Sequence, residues 1–335
     1  MDDYRLGFTG DVMLGRLVNE HQQARPTTAV WGNVLDRLRA LDGLFINLEC
    51  CLSTRGRPWD RTYRPFHFRA DPHWAVPALD EAGVDFAALA NNHLMDFEAV
   101  ALLDTIDHLD EAGIAHAGAG RDLEAAIEPT FVDIGDLRIG LLSFTDNTPE
   151  YAADEESPGV AYTDIDPDEE PVKTTFRSTI DTILTWEPDL VVASLHWGPN
   201  MVERPPEAFQ RFAHWLVEQG VDLLHGHSAH IFQGVEVHDG AVILYDCGDF
   251  VDDYAVDDRL RNDRSFLFEL SVSADGDVQT LTLRPTEIYD CAVHEADPEE
   301  AAWSRERMRE LSTLFGTEFD REGESLTCDL TNASH

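Results

Sequence analysis

Between residue 4 and about residue 225 the chain alternates short apolar runs with amphipathic helical stretches, and that alternation leaves few architectures open. Runs at 4–9, 44–48, 85–90, 130–134, 137–144, 189–195 and 221–225 are rich in β-branched and aromatic residues and read as strands. Between the earlier ones lie "WGNVLDRLRALD", "DPHWAVPALDEAG", "DFEAVALLDTIDHLDEAG", "TTFRSTIDTILTWE" and "PPEAFQRFAHWLVEQG". The last opens on proline and closes on glycine, as a helix does. A strand that feeds a helix and then another strand predicts a parallel βα unit, because the helix carries the chain back to the same end of the sheet. Beyond residue 225 the pattern changes: strands expected at 233–238, 241–246, 265–272 and 278–288 include the hairpins "VEVHDGAVILY" and "LSVSADGDVQTLTL", which turn on Asp-Gly. The expectation is one mixed α/β domain over 1–295, followed over 296–335 by an amphipathic helix, "PEEAAWSRERMRELSTLFG", and a polar tail that is not a separate domain. With 335 residues and 43% apolar content the chain can fill such a core. The acidic stretch at 150–171 reads as a surface excursion.

Residues of metal-ligating type recur just past the carboxyl ends of these strands. They are Asp11 in "GDVMLGR", Asn47 and Glu49 in "NLE", Asn91, Asn92 and His93 in "ANNH", His196 in "LHWG", and His225, His227 and His230 in "HGHSAH". Loops at the carboxyl ends of strands are where open α/β sheets bind ligands, so five such loops can share one pocket. Carboxylate, amide oxygen and imidazole make a donor set suited to borderline divalent ions such as Mn²⁺, Zn²⁺ or Fe²⁺, and the absence of thiolate from these motifs argues against a closed structural zinc site. Each residue alone has a plainer reading. Asp11 could be a turn or helix-cap residue, His196 a hydrogen-bonded core histidine, Asn91 and Asn92 caps of the next helix, and His225 a core or supporting histidine. His67, His108, His214 and His238 fall on helices or hairpins without an evident carboxylate partner and are assigned no role. The joint pattern favours a catalytic metal site.

Lys and Arg total 24 against 65 Asp and Glu, a net charge of −41, with Lys173 the single lysine. So acidic a surface repels polyanions, which argues against nucleic acid or anionic membrane as partners. In molar salt the screening length shrinks to about 3 Å, so such a surface also suits a highly saline solvent; an acidic interaction surface is the alternative. The start, "MDDYRLGFTGD", has neither a basic n-region nor an apolar h-region, and no apolar stretch reaches membrane-spanning length. A soluble, cytoplasmic protein is expected. The five cysteines form no C-x-x-C pair and read as reduced core thiols.

The motifs "GDVMLGR", "NLE", "ANNHLMD", "HWG", "GHSAH" and "YDCGDF", with the "AGIAHAGAGR" stretch between them, resemble the CapA, or poly-γ-glutamate capsule biosynthesis, family over about residues 4–251. That resemblance implies the fold of calcineurin-like metallophosphoesterases, a four-layer α/β/β/α sandwich of two mixed sheets with the site at one edge. It also implies one or two divalent ions, with Asp11 on the first metal, Glu49 in the bridging carboxylate's place, Asn92 on the second metal, and His196, His227 and His230 completing the shells. His93 would stand near the scissile group as acid or electrostatic stabiliser, and Arg16 would hold an anionic group of the substrate. Three positions depart from metallophosphoesterases: Met13 stands where they carry a histidine, Glu49 where they carry aspartate, and their G-H-x-H is stretched to G-H-x-x-H. Within the family pattern Asn200, Asp249 and Glu98 replace a glutamate, an asparagine and a glycine. The implied function is a metal-dependent hydrolase or transferase acting on an anionic phosphoester or a γ-glutamyl polymer. The alternative is a non-catalytic component of polyglutamate or envelope assembly that binds polymer or partner proteins. Without a membrane anchor, either role at the envelope would call for a separate membrane-protein partner.

Overall fold

In the computed structural model, which describes residues 3–165 and 168–331, two mixed β-sheets lie face to face between helical layers. The first sheet begins with four parallel strands, β1 (Tyr4–Val12), β2 (Gly43–Leu48), β3 (Phe86–Ala88) and β4 (Ala115–Ala117). The second has six strands: β5 (Thr130–Ile134), β6 (Leu137–Thr145), β7 (Leu190–His196), β8 (Leu223–His227), β9 (Val235–His238) and β10 (Ala241–Leu244). Here β6, β7, β8 and β10 run parallel, and β5 and β9 close the edges antiparallel. The chain then returns to the first sheet. Strand β11 (Asp249–Val251) runs parallel to the end of β1, β12 (Arg264–Val272) lies antiparallel to β1, and β13 (Val278–Tyr289) pairs with β12. Three further strands, β14 (Ala292–Glu295), β15 (Asp320–Glu322) and β16 (Ser325–Asp329), bring this sheet to ten.

Six helices of seven residues or more among the described residues complete the layers: α1 (Arg16–Gln22), α2 (Pro72–Ala82), α3 (Glu98–Ala112), α4 (Glu170–Leu184), α5 (Glu207–Glu218) and α6 (Pro298–Ser312). Helix α2 starts where expected because Asp71 accepts the His73 N–H and Pro72 occupies the first turn. The buried side chains divide as four layers require. Leu79 and Leu102 from α2 and α3 pack on the outer face of the first sheet, and Phe176 and Phe212 from α4 and α5 pack on that of the second. Phe8, Phe45 and Phe86 meet Leu141, Val192 and Leu223 between the sheets. Each fully buried Phe or Leu is worth about 1.5–3 kcal/mol, so this middle layer holds the two sheet edges in a fixed relation.

The structure differs from the sequence reading in several places, and His214, read as having no evident carboxylate partner, meets Glu236 at 3.0 Å. "WGNVLDRLRALD" is α-helical only over Leu35–Leu38, because a kink at Gly32 (φ 44°) interrupts the turn before it. The acidic excursion is partly anchored: Tyr151, Val160 and Ala161 are buried, while residues 166 and 167 of that stretch lie outside the described residues. The tail also buries more than its polarity suggests, since β16 pairs with β13 and places Leu326 in the layer between the sheets. Among the described residues no helix is long and apolar enough to cross a membrane.

Candidate metal centre

Strand register alone brings the strand-end residues together. Asp11 on β1 is in register with Asn47 on β2 and with Asp249 on β11, and His196 on β7 is in register with His227 on β8. The stacked sheets face these sets toward each other at one edge. Asp11 Oδ1 lies 3.8 Å from both His196 Nδ1 and His227 Nδ1, and those nitrogens are 3.0 Å apart. On its other side, Asp11 Oδ2 is 3.4 Å from His230 Nδ1, which donates to Asp249 Oδ1 at 2.9 Å. Two groups of candidate ligands result, Asp11–His196–His227 and Asp11–Glu49–His230–Asp249, with the candidate atoms of each within 4.8 Å of one another. Asp11 is the residue common to both groups. Glu49 belongs to the second and approaches the first through its Oε1, 3.9 Å from His196 Nε2.

The supporting shell explains the local backbone. Asp246 accepts the Ala229 N–H at 2.7 Å and the Gly248 N–H at 2.8 Å, tying the "GHSAH" loop to the "GDF" turn. Ser228 (φ 113°) and His230 (φ 59°) take left-handed conformations that side chains rarely adopt, and these turn His230 back toward Asp11 across the longer loop. His227 Nε2 meets Ser194 Oγ at 3.0 Å, which leaves Nδ1 to face Asp11. His225 is held between Ser194 Oγ and the Thr9 carbonyl and joins neither ligand group, in keeping with the core or supporting reading. Asn91 likewise supports: its amide donates to the Leu48 carbonyl at 2.8 Å, and its oxygen accepts the His93 N–H at 3.1 Å.

Electrostatics and unmet hydrogen bonds both suit a cation. Burial pushes the His196 pKa down to about 3 and that of His227 well below its ordinary value, so both rings are neutral with lone pairs to give. Burial, then the adjacent Asp11 charge, pushes Glu49 well above the usual carboxylate range. Burial also opposes a charge on His230, but Asp249 and Glu49 outweigh it and raise that pKa. For Asp11, burial acts upward and is overcome by the nearby His230, His196 and His227. Asp11 Oδ2, Glu49 Oε1, Asn92 Oδ1, His196 Nε2 and Asp249 Oδ2 are buried without any hydrogen bond. Each orphaned group costs about 1–3 kcal/mol. Carboxylate and imidazole donors left bare together fit a divalent cation, which would satisfy them and offset the crowding of negative charge.

Beside this cluster lies a cleft of about 650 Å³ lined by Arg16, Arg64, Phe68, Asn92, His93 and His230 among others. Asn92 lines the cleft while its Oδ1 is buried and bare, and Arg16 pairs with Asp253 at 3.3 Å. His93 stacks on Phe68 at 3.7 Å, donates from Nδ1 to Asp96 at 2.6 Å, and points Nε2 toward Glu49 Oε1, 3.9 Å away. Four further neighbours are Asn47, which the sequence places among the ligand-type residues, Asp249, which departs from the family pattern, and Asp96 and Tyr254, which the sequence reading did not single out. Asn47 donates to Asp11 Oδ1 at 2.6 Å, and Tyr254 donates to Glu49 Oε2 at 3.1 Å. Asp96 and Asp249 stand inside the quoted motifs "ANNHLMD" and "YDCGDF", so their place at the site carried a signal; Tyr254 had none.

The model of the family described as "Bacterial capsule synthesis protein PGA_cap" matches residues 5–254. The chain belongs to that family. Residues 5–254 include every strand end that contributes to the two ligand groups. Among PGA_cap relatives, a probable polyglutamine synthesis accessory protein of Mycobacterium tuberculosis is 33% identical over 301 residues, covering 85% of this chain and 77% of that protein. The capsule biosynthesis protein CapA of Bacillus anthracis is 30% identical over 248 residues, covering 73% of this chain and 59% of that one. A crystal structure titled as a novel phosphatase from Mycoplasma pneumoniae superposes with a TM-score of 0.52 at 14% identity, covering 90% of this chain and 97% of that one. This last likeness bears on the fold alone and agrees with the metallophosphoesterase-like sandwich expected from the motifs.

Proposed function

We propose that this PGA_cap protein is a metal-dependent hydrolase or transferase of capsule or poly-γ-glutamate assembly, acting on an anionic phosphoester or γ-glutamyl substrate. The observation that carries the reading is the pair of ligand groups sharing Asp11, with bare donor atoms beside an open cleft. Asp11, Glu49, Asn92, His196, His227, His230 and Asp249 would hold one or two ions of the Mn²⁺, Zn²⁺ or Fe²⁺ type. A bound divalent cation supplies Lewis-acid polarisation and neutralises charge at the attacked centre.

The chain's own residues do the rest. Asp96 accepts the proton of His93 Nδ1, which fixes the tautomer and leaves Nε2 on the cleft side to receive or return a proton. Phe68, stacked on the ring, keeps solvent from one face of His93. Arg16 offers a planar fork to a carboxylate or phosphate of the substrate. Tyr254 holds Glu49 Oε2 so that Oε1 stays turned to the ligand cluster. The test is turnover of phosphodiester and γ-glutamyl substrates by chelator-treated protein before and after Mn²⁺ is restored. Activity that returns with Mn²⁺ and disappears with EDTA is expected; no Mn²⁺-dependent turnover of either class would overturn the reading.

A further inference from the structure

Residues 54–69, "TRGRPWDRTYRPFHFR", hold five arginines, Arg55, Arg57, Arg61, Arg64 and Arg69, against one acid, Asp60. Their local balance is 5 − 1 = +4 in a chain of net charge −41. This stretch forms part of the cleft wall through Arg64, Phe66 and Phe68, where Arg16 also stands. Guanidinium groups and rings alternate along it. Arg16 lies 5.0 Å from the Phe66 ring; Arg64 lies 4.6 Å from Tyr151, Tyr151 packs 4.8 Å from Trp59, and Arg61 lies 4.6 Å from Trp59. Arg55 is committed to an ion pair with Asp104, but Arg61 meets Glu98 only at 3.8 Å. Arg57 makes no ion pair or hydrogen bond among the described residues. Tyr63 is 89% exposed and Phe66 54%, within the stretch whose net positive charge is the highest for its length in the sequence.

We infer that the 54–69 loop is a docking track for an extended polycarboxylate chain, which it leads into the cleft beside His93. The inference rests on the reading that the site takes an anionic substrate, and it adds where that substrate lies. A polyanion is repelled by the rest of so acidic a surface, so a local positive strip both selects its position and raises its concentration at the cleft. Guanidinium forks match carboxylates two oxygens at a time, and those already ordered on aromatic rings lose less freedom on binding. A small anion would need only Arg16 or Arg64 inside the cleft. Arg57 and Arg61 lie outside its lining, so only a ligand longer than the cleft would meet them.

The test measures binding of a fluorescent γ-linked oligoglutamate to chelator-treated protein by anisotropy across a NaCl series. Three proteins are compared: wild type, Arg57→Gln/Arg61→Gln, and the control pair Arg177→Gln/Arg211→Gln on α4 and α5, each checked for unchanged melting. The loop variant should bind on the order of tenfold more weakly with a shallower salt dependence, and the control should match wild type. Equal affinity of wild type and loop variant, or an equal loss in the control, would overturn the track. Displacement by polyphosphate of the same charge as readily as by unlabelled oligoglutamate would overturn the choice of a polycarboxylate. Because binding is read without metal, a failure here leaves the Mn²⁺-dependent turnover to stand or fall separately.

Discussion

Gly10→Ala is a small change with a large expected effect. A Cβ at Gly10 would lie 1.9 Å from the Gly248 carbonyl oxygen, 2.6 Å from its carbon and 2.8 Å from the Cys247 oxygen. Those are backbone atoms, and ordinary contact needs about 3.5 Å, so β1 and the 247–249 segment would have to part by roughly 1.5 Å. Parting them breaks the Asp11 N–H···O=C hydrogen bond to Gly248, now 2.9 Å, and the register of Asp11 with Asp249. The lost buried hydrogen bond costs about 1–3 kcal/mol and overpacking adds about 1–3 kcal/mol. At roughly 2 °C per kcal/mol for a chain of this size, Tm should fall by roughly 4–12 °C, and Mn²⁺ uptake should fall with it. Thermal unfolding by circular dichroism in chelator reads the first effect, and elemental analysis after Mn²⁺ loading reads the second. Gly7→Ala on the same strand is the control, because its Cβ meets the Leu41 Cδ1 atom, the end of a side chain that can rotate away. Equal melting of Gly10→Ala and wild type, or equal damage from Gly7→Ala, would refute the close approach that seats Asp11.

Two further outcomes follow from one buried and one half-buried carboxylate. Asp96 accepts from His93 Nδ1, the Phe68 N–H and the Tyr151 hydroxyl at 2.6, 2.7 and 2.9 Å, and the amide of Asp96→Asn cannot serve all three. Stability should drop by about 1–3 kcal/mol and Mn²⁺-dependent turnover by on the order of 10²–10⁴-fold, whereas undiminished turnover would remove His93 from the chemistry. Burial lifts the Asp146 pKa to about 6 from its ordinary 3.8. A raised carboxyl pKa means the folded chain binds that proton more tightly, so ionised Asp146 is a cost present above about pH 6 that fades as pH falls toward 4. Asp146→Asn, which can still accept from the Gly198 N–H, should therefore raise Tm at neutral pH and lose that advantage below about pH 4; the same shift at both would refute the assignment.

Much of the fold is legible because parallel strands covered on both faces must be apolar throughout, as the fully buried "LVVASLH" of β7 is. The strands that the sequence hides are short or half-exposed. Asp249–Val251 has three residues and exists as a strand because Gly10 lets the 247–249 backbone approach β1, while Ser325–Asp329 passes from buried Ser325 and Leu326 to exposed Asp329 beside β13. At the site, residues that end long strands or stand in histidine-rich turns could be read directly. Their supports could not: Asp96 matters because it meets His93, and Tyr254 because a bend after β11 brings its hydroxyl to Glu49. The sharing of Asp11 by two ligand groups is likewise a product of two sheets meeting, which no one-dimensional pattern encodes. The arginine cluster at 54–69 was visible as a charge reversal, but only the cleft gives it a place.

The shared carboxylate can be tested directly by elemental analysis of wild type and Asp11→Ala after Mn²⁺ loading and exhaustive dialysis. Wild type should retain at least about one ion per chain and Asp11→Ala almost none, because that substitution strips a ligand from both groups at once. Wild-type protein that retains no ion, or an Asp11→Ala protein that retains as much as wild type, would contradict the account.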